Sequence, residues 1–353
     1  VEEIIGSGPF VFEEDQWVPG SKVVYSKFED YVPRDEPADG FAGGKVVKVD
    51  KVEWIYIPDT NTATQALIAG EVDVYEIPPI DLIPVLEADP NITVEVLDPL
   101  GKMGHIRPNH LYPPFDKKEA RQALQLLVDQ QAFLAAQVGN PTYEKECYAV
   151  FMCDSPFETD VAAEGWMEPD KEKAKELMAA AGYDGEPLVV MVPTDQQIIY
   201  NNVLVMVDLL KEIGVNVDAQ SMDWSTLTSR RPKMDDPREK PNVGWHIFPT
   251  WWTGYNMSSP LTNQPLVATG DPKSAWFGWP EDEETERLRN EFIAAQTKEE
   301  QMAAIEALQQ RYYDYFHYIN TGQFVTPVAW RSNLEGVPNA LLFVPWNIEK
   351  TAG

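Results

Sequence analysis

Apolar and polar residues alternate along 21–28, SKVVYSKF, and again along 46–57, VVKVDKVEWIYI. This period of two is expected of strands with one buried face. A loop rich in proline and glycine, 33–44, separates the two. The earlier stretch GSGPFVF, residues 6–12, sets Gly6, Gly8 and Pro9 for a tight turn and follows them with Phe10 and Phe12 in alternation. It predicts a strand leaving a turn. Ala63, Ala66 and Leu67 then mark a short helix that Gly70 stops, followed by a strand around 72–75. A second helix over 81–88 leads to strands near 92–97 and 102–106.

The texture changes at PPFDKKEARQALQLLVDQQAF, residues 113–133. Asp116 is placed to cap a helix whose apolar positions Ala120, Leu124, Leu127 and Val128 recur at three and four residues. Helix 170–185, stopped by Gly182, precedes an apolar strand at 187–193. Helix 196–213 and strand 215–220 complete a β-α-β unit, which predicts a parallel pairing. Two helices follow within 281–318, then strand character over 322–330. The expected architecture is α/β with two lobes, 1–106 and 107–322, the tail 323–353 returning to the first.

Charge narrows the function. The chain of 353 residues has 28 basic and 57 acidic side chains, a net charge of −29. Such a surface repels phosphate backbones and anionic headgroups, which argues against nucleic acid and membrane surfaces as partners. Solubility, as in a salty habitat, explains the charge more simply than attraction of cations. No run of 18 apolar residues is present. No basic segment followed by an apolar one opens the sequence, so any signal peptide is expected to have been removed or to lie upstream. Cys147 and Cys153 are the two cysteines. A local disulfide is the favoured reading and fits an oxidising, exported setting; two free buried thiols are the alternative.

Catalytic patterns are mostly missing. There is no G-x-S-x-G, H-E-x-x-H or strand-borne G-x-G-x-x-G, and GFAGGKVV at 40–47 lacks the first glycine and the Ser/Thr of a phosphate loop. His105, His110, His246 and His317 are scattered, so neither a metal site nor a cofactor is expected. The unusual segment is 245–279, where Trp245, Trp251, Trp252, Trp276 and Trp279 are interleaved with Gly, Pro, Ser, Thr and Asn. Aromatic faces beside amide and hydroxyl groups suit a small-molecule pocket. Burial of one indole is worth several kcal/mol, at ~25 cal/mol per Å², which serves interior packing equally well.

GSGPFVFEEDQWVPGSKVVYSKFEDYV, residues 6–32, resembles the opening run of the family 5 extracellular solute-binding proteins, the peptide, oligopeptide and nickel receptors of ABC importers. ALIAGEVDVYEIPP (66–79), the 113–133 segment, DKEKAKELMAAAGYDG (170–185) and EIGVNVDAQSMDWSTL (212–227) continue the resemblance in the family's order. It implies a type II periplasmic-binding-protein fold, two α/β lobes joined by crossing strands that close on a solute. It also implies a first lobe that is incomplete here, because family members carry a hundred or more residues before the motif near the start of this sequence.

By the same resemblance, Trp251, Trp252 and Tyr255 would stack on the solute, with Thr253, Asn256 and the backbone at Gly254 orienting it. Gln323 would reach the cleft, and the lobes would hinge near Arg107 to Asn109 and Gly322. Peptide receptors of the family carry an aspartate for the ligand's α-amino group where Gly254 stands, so a free-amine peptide is the less secure expectation. Dipeptides, longer peptides, glutathione-like compounds, opines, sugars and metal chelates all remain open. The implied partners are a small-molecule or peptide ligand and the membrane permease of an ABC importer. A monomer is implied, periplasmic or extracellular, with a membrane anchor in a missing N-terminal part as one form. A hydrolase with an aromatic-lined cleft is the competing class, and a binding fragment that has lost transport is the third.

Overall fold

The computed structural model describes residues 4–352. The chain forms two units, one containing the residues up to Pro99 together with those from Val325 on, the other Leu100–Phe324. The first unit opens with strands β1 (Phe10–Phe12), β2 (Lys22–Lys27) and β3 (Lys51–Ile55). These pair antiparallel in that order. Helix α1 (Thr60–Ala69) follows, then β4 (Val74–Tyr75), α2 (Ile83–Glu87) and β5 (Ile92–Glu95). The carboxylate of Asp59 accepts the Thr62 N–H at 2.7 Å to begin α1, and Gly70 ends it with φ 75°.

The second unit contains strand β6 (Lys102–Pro108), helices α3 (Lys118–Gln125) and α4 (Gln130–Gln137), and strand β7 (Glu144–Lys145). It continues with α5 (Lys171–Ala180), β8 (Leu188–Pro193), α6 (Gln197–Glu212), β9 (Val217–Met222), α7 (Trp224–Arg230) and β10 (Ile247–Thr253). A four-residue turn of helix, α8 (Gly254–Met257), precedes α9 (Glu283–Ala294), α10 (Lys298–Tyr315) and β11 (Ile319–Phe324). Its six strands run β7-β11-β6-β10-β8-β9. β8 and β9 are parallel over six residue pairs, with α6 as their crossover. β6 lies between β11 and β10, and all seven of its residues are buried, as are all six of β8. Such all-buried strands occur where helices cover both faces.

The chain returns to the first unit with β12 (Val328–Arg331), β13 (Leu334–Glu335) and β14 (Glu349–Lys350). β12 inserts between β4 and β5, and its Val328 and Trp330 join Leu97, Leu334 and Ile348 in a small core.

Several expectations need adjustment. The strand character of 322–330 resolves into β11 and β12, separated at Pro327, which has no N–H to give a ladder, just where the chain changes unit. A lobe division at 106/107 would cut through β6; the chain divides instead between Pro99 and Leu100. Asp116 is not a cap: α3 begins at Lys118 with no side-chain cap, and the Asp116 carboxylate lies 3.2 Å from the Lys117 ammonium. Cys147 and Cys153 are joined in a disulfide, buried in the main core of the second unit.

Candidate functional site

The aromatic segment comprises strand β10 and the irregular chain that leads from it to α9. Trp251, Trp252 and Thr253 pair across β6 with Gly104, Met103 and Lys102. Alternation along the strand sends neighbouring indoles to opposite faces. The Trp251 ring receives the Lys102 ammonium 5.2 Å from its centroid. Trp252 meets the Trp276 ring edge-on at 5.0 Å, and its indole N–H is buried with no acceptor.

Thr253 caps the short α8. Its hydroxyl accepts the Asn256 N–H at 3.4 Å and donates to the Asn256 amide oxygen, which fixes Asn256 against the strand end. Tyr255 projects outward, 60% exposed. Gly254 donates its N–H to the Gly101 carbonyl at 2.7 Å, and a Cβ placed on it would stand 2.5 Å from Leu100 Cβ. No side chain fits there unless residue 100 moves. An aspartate at this position, as expected of peptide receptors resembling this chain, would therefore clash with Leu100.

Gln323 is buried, and its amide N–H groups donate to the carbonyls of Leu100 at 3.0 Å and Cys153 at 3.3 Å. It holds the Leu100 segment on which Gly254 rests. Its amide oxygen is buried without a donor.

The expected hinge residues all lie inside the second unit, Gly322 close to the change of unit after Phe324 and Arg107 and Asn109 further from the one before Leu100. Arg107 is completely buried and has no carboxylate partner. Its guanidinium donates to the carbonyls of Phe277 at 2.6 Å, Pro265 at 3.0 Å and His317 at 2.8 Å, and lies 5.2 Å from the Trp276 centroid. Burial lowers its pKa to about 9, which leaves it charged at neutral pH. Asn109 donates to the Trp245 carbonyl at 3.0 Å and accepts the Leu111 N–H at 3.1 Å. Both residues tie the aromatic segment to β6. Gly322, at φ 116°, allows Leu134 of α4 to pack on the backbone, for a Cβ there would lie 2.5 Å from Leu134 Cγ. Each of the three is held by packing or by carbonyls of its own unit.

Sequence patterning carries no sign of the partners that complete this aromatic cluster. Trp245, Phe248, Trp276, Phe277 and Trp279 pack together with Leu227 and Trp224 of α7. Arg231, the residue after α7, places its guanidinium over the rings of Trp224, Phe248, Trp276 and Phe277. Its pattern, SRRPK after a helix, has no periodicity signal, and only the fold brings it beside Trp276. Among the described residues no group of three or more His, Cys, Asp or Glu is placed to hold a metal, and no helix is long and apolar enough to cross a membrane.

A two-lobed α/β chain of this topology, with an aromatic, donor-rich strand end, is the build of a binding protein. Residues 1–274 match the family described as Bacterial extracellular solute-binding proteins, family 5 Middle, and the chain belongs to that family. It is 40% identical over 350 residues to the Probable peptide ABC transporter periplasmic-binding protein y4tO of Sinorhizobium fredii, covering 98% of this chain and 65% of that protein. The Oligopeptide-binding protein AppA of Bacillus subtilis is 24% identical, over 98% of this chain and 61% of its own length. The chain thus spans a little under two thirds of these relatives. Among solved structures, the PBP AgaA of A. tumefaciens R10 in complex with agropinic acid superposes with a TM-score of 0.81 at 19% identity, covering 98% of this chain and 67% of that one. That likeness, with the family match, shows the fold to be the two-lobed type II periplasmic-binding fold.

Proposed function

We propose that the protein is a solute-binding receptor of an ABC importer, working outside the cytoplasm, which captures a peptide or related organic solute and presents it to a membrane permease. The observation that carries this reading is the end of β10, where Trp251, Trp252 and Tyr255 stand beside the Thr253 and Asn256 polar groups in a chain of this family. A half-buried indole whose N–H has no acceptor is ready to give that bond to a solute, and an exposed tyrosine beside it adds a second stacking face. Relatives named as binding peptides, dipeptides and glutathione support the same class of solute, and agropinic acid in AgaA supports an opine-like one. The reading is of equilibrium binding with no bond made or broken; the Thr253 hydroxyl is engaged in a cap, and His110 and His246 are bonded to backbone groups.

The test is a tryptophan-fluorescence and calorimetric titration of the chain against di-, tri- and longer peptides, glutathione and opines. At least one is expected to bind, and Trp252→Ala to lower its affinity about 10- to 100-fold, the effect of losing one large aromatic contact. A panel in which nothing binds, or a bound solute indifferent to Trp251→Ala, Trp252→Ala and Tyr255→Ala together, would sink the reading.

A further inference from the structure

Arg231 is the one arginine among the described residues whose guanidinium has no hydrogen-bond acceptor or ion-pair partner. Arg34, Arg238, Arg287, Arg289 and Arg311 pair with carboxylates. Arg107, Arg121, Arg230 and Arg331 donate to carbonyls. Arg231 instead lies over four rings, 5.0 Å from Phe277, 5.7 Å from Trp224 and from Trp276, and 6.0 Å from Phe248. Its Nε is buried and without an acceptor. Burial alone moves its pKa, downward, with no neighbouring charge contributing. In a chain with 57 acidic and 28 basic residues, an arginine left with neither an acid nor a carbonyl is a departure that asks for a cause.

The rings explain how it is kept in place. Cation–π contacts hold a guanidinium against aromatic faces without using its N–H donors, and here the two terminal nitrogens, unlike Nε, are not enclosed. Trp276 touches both this guanidinium and Trp252, whose indole N–H is the other buried donor lacking an acceptor. Two unpartnered donors thus flank one ring. None of the side chains gathered here, Trp224, Arg231, Phe248, Trp252, Trp276 and Phe277, carries a carboxylate, and Gly254 has no room for one. The cluster is short of acceptors, so what completes it must bring them.

We infer that the solute is an organic acid: a carboxylate on an apolar or ring-bearing body, received by the Arg231 guanidinium beside the Trp276 ring that also packs on Trp252. This rests on the reading that the end of β10, on the side of Trp252, holds the solute, and it assigns that solute's charge. An unpaired arginine matches a carboxylate in two parallel N–H···O bonds and rejects an ammonium, so the site selects against a solute whose only charge is an amine.

The experiment uses the whole chain and three acids, hippurate, 3-phenylpropionate and N-acetylphenylalanine, each beside its primary amide, in calorimetry and thermal shift. At least one acid is expected to bind, at least 10-fold more tightly than its amide, and more weakly as salt rises. Arg231→Gln should remove that preference by lowering the acid's affinity roughly 10- to 100-fold, while Arg231→Lys, which keeps the charge without the fork, retains part of it. The melting temperature of each unliganded variant shows whether it is folded, and Arg231→Lys serves if the glutamine variant is not. Equal binding of acid and amide, an undiminished preference in Arg231→Gln, or no binding of any of the three acids overturns the inference. Neutral peptides binding where acids fail leaves the receptor reading standing and removes only the charge assignment. Failure of the acids, the amides and the peptide panel together removes both.

Discussion

Replacing Arg107 by methionine isolates what its buried guanidinium does. The side chain gives N–H groups to the carbonyls of Pro265, Phe277 and His317. The His317 carbonyl also accepts from His110 Nε2 at 3.0 Å, so it keeps a donor when Arg107 is removed. Two carbonyls, those of Pro265 and Phe277, lose this donor. At about 1–3 kcal/mol for each buried group left unsatisfied, the loss is roughly 2–6 kcal/mol. Against it stands relief from a desolvated charge that has no counter-ion, which in buried ion pairs offsets a large part of such a loss. Carbonyl satisfaction should win, because three good acceptors already stabilise the ion and methionine supplies none. The net expectation is a destabilisation of about 2–4 kcal/mol. Urea unfolding at pH 7, followed by circular dichroism and tryptophan fluorescence, measures it. Arg107→Lys should fall between, since an ammonium on one stem reaches fewer of these carbonyls. Hydrogen exchange should show lost protection concentrated in 264–279, the segment the guanidinium ties to β6. If Arg107→Met unfolds within about 0.5 kcal/mol of the unmodified protein, the carbonyl argument is wrong and the arginine is dispensable to the fold.

Reduction of the Cys147–Cys153 disulfide, or a double serine substitution, should cost about 2 kcal/mol, the chain-entropy value for so short a loop, read as a shift in the urea midpoint. Gly254→Asp should destabilise by roughly 1–3 kcal/mol through overpacking against Leu100, and should not confer binding of free-amine dipeptides in calorimetry; tight dipeptide binding by this variant would show that residue 100 yields. All four histidines are buried, His105 with its pKa lowered to about 3 and His246 to about 4, in both cases mainly by desolvation. The unfolded chain therefore binds more protons below about pH 6.5, and each such histidine should remove ~1.4 kcal/mol of stability per pH unit as the pH falls from there towards its folded value. Urea midpoints between pH 7.5 and 5 check this, and a flat profile would exclude it.

The elements were legible where one local cause sufficed. Asp59 and Gly70 bracket α1, the apolar strand at 188–193 and the helix after it dictate a parallel β8–β9 pair, and Gly182 follows α5 with φ 88°. Asp116 failed because a capping residue is recognised by spacing alone, whereas the Asp116 and Lys117 N–H groups close a turn on the Tyr112 and Pro114 carbonyls and α3 begins only at Lys118. The aromatic segment was visible by composition, but its supports were not. Arg107, in IRPN, was expected near a hinge; that it is enclosed by carbonyls from 265, 277 and 317 is a fact of tertiary structure, more than 150 residues away along the chain.

The same distinction separates Arg107 from Arg231. Both lie against Trp276, at 5.2 and 5.7 Å. A guanidinium has five N–H donors and no acceptor, so each needs oxygen atoms, and the backbone supplies them only where a segment turns its carbonyls inward. At Arg107 the irregular stretches after α8 and α10 do so, and the charge becomes a structural tie. At Arg231 the surroundings are ring faces, which attract the cation but leave its N–H edge unbonded. One arginine is thus satisfied by the fold and the other is not, although a single indole links them. Because Arg107 fixes the backbone of Phe277 and Trp276, it also fixes the rings that hold Arg231. Loosening the first should therefore degrade recognition through the second: Arg107→Lys should weaken the binding of an acid more than that of its amide, with the full difference lost in Arg107→Lys/Arg231→Gln. An equal loss for acid and amide in Arg107→Lys would show that the two sites are not coupled through Trp276.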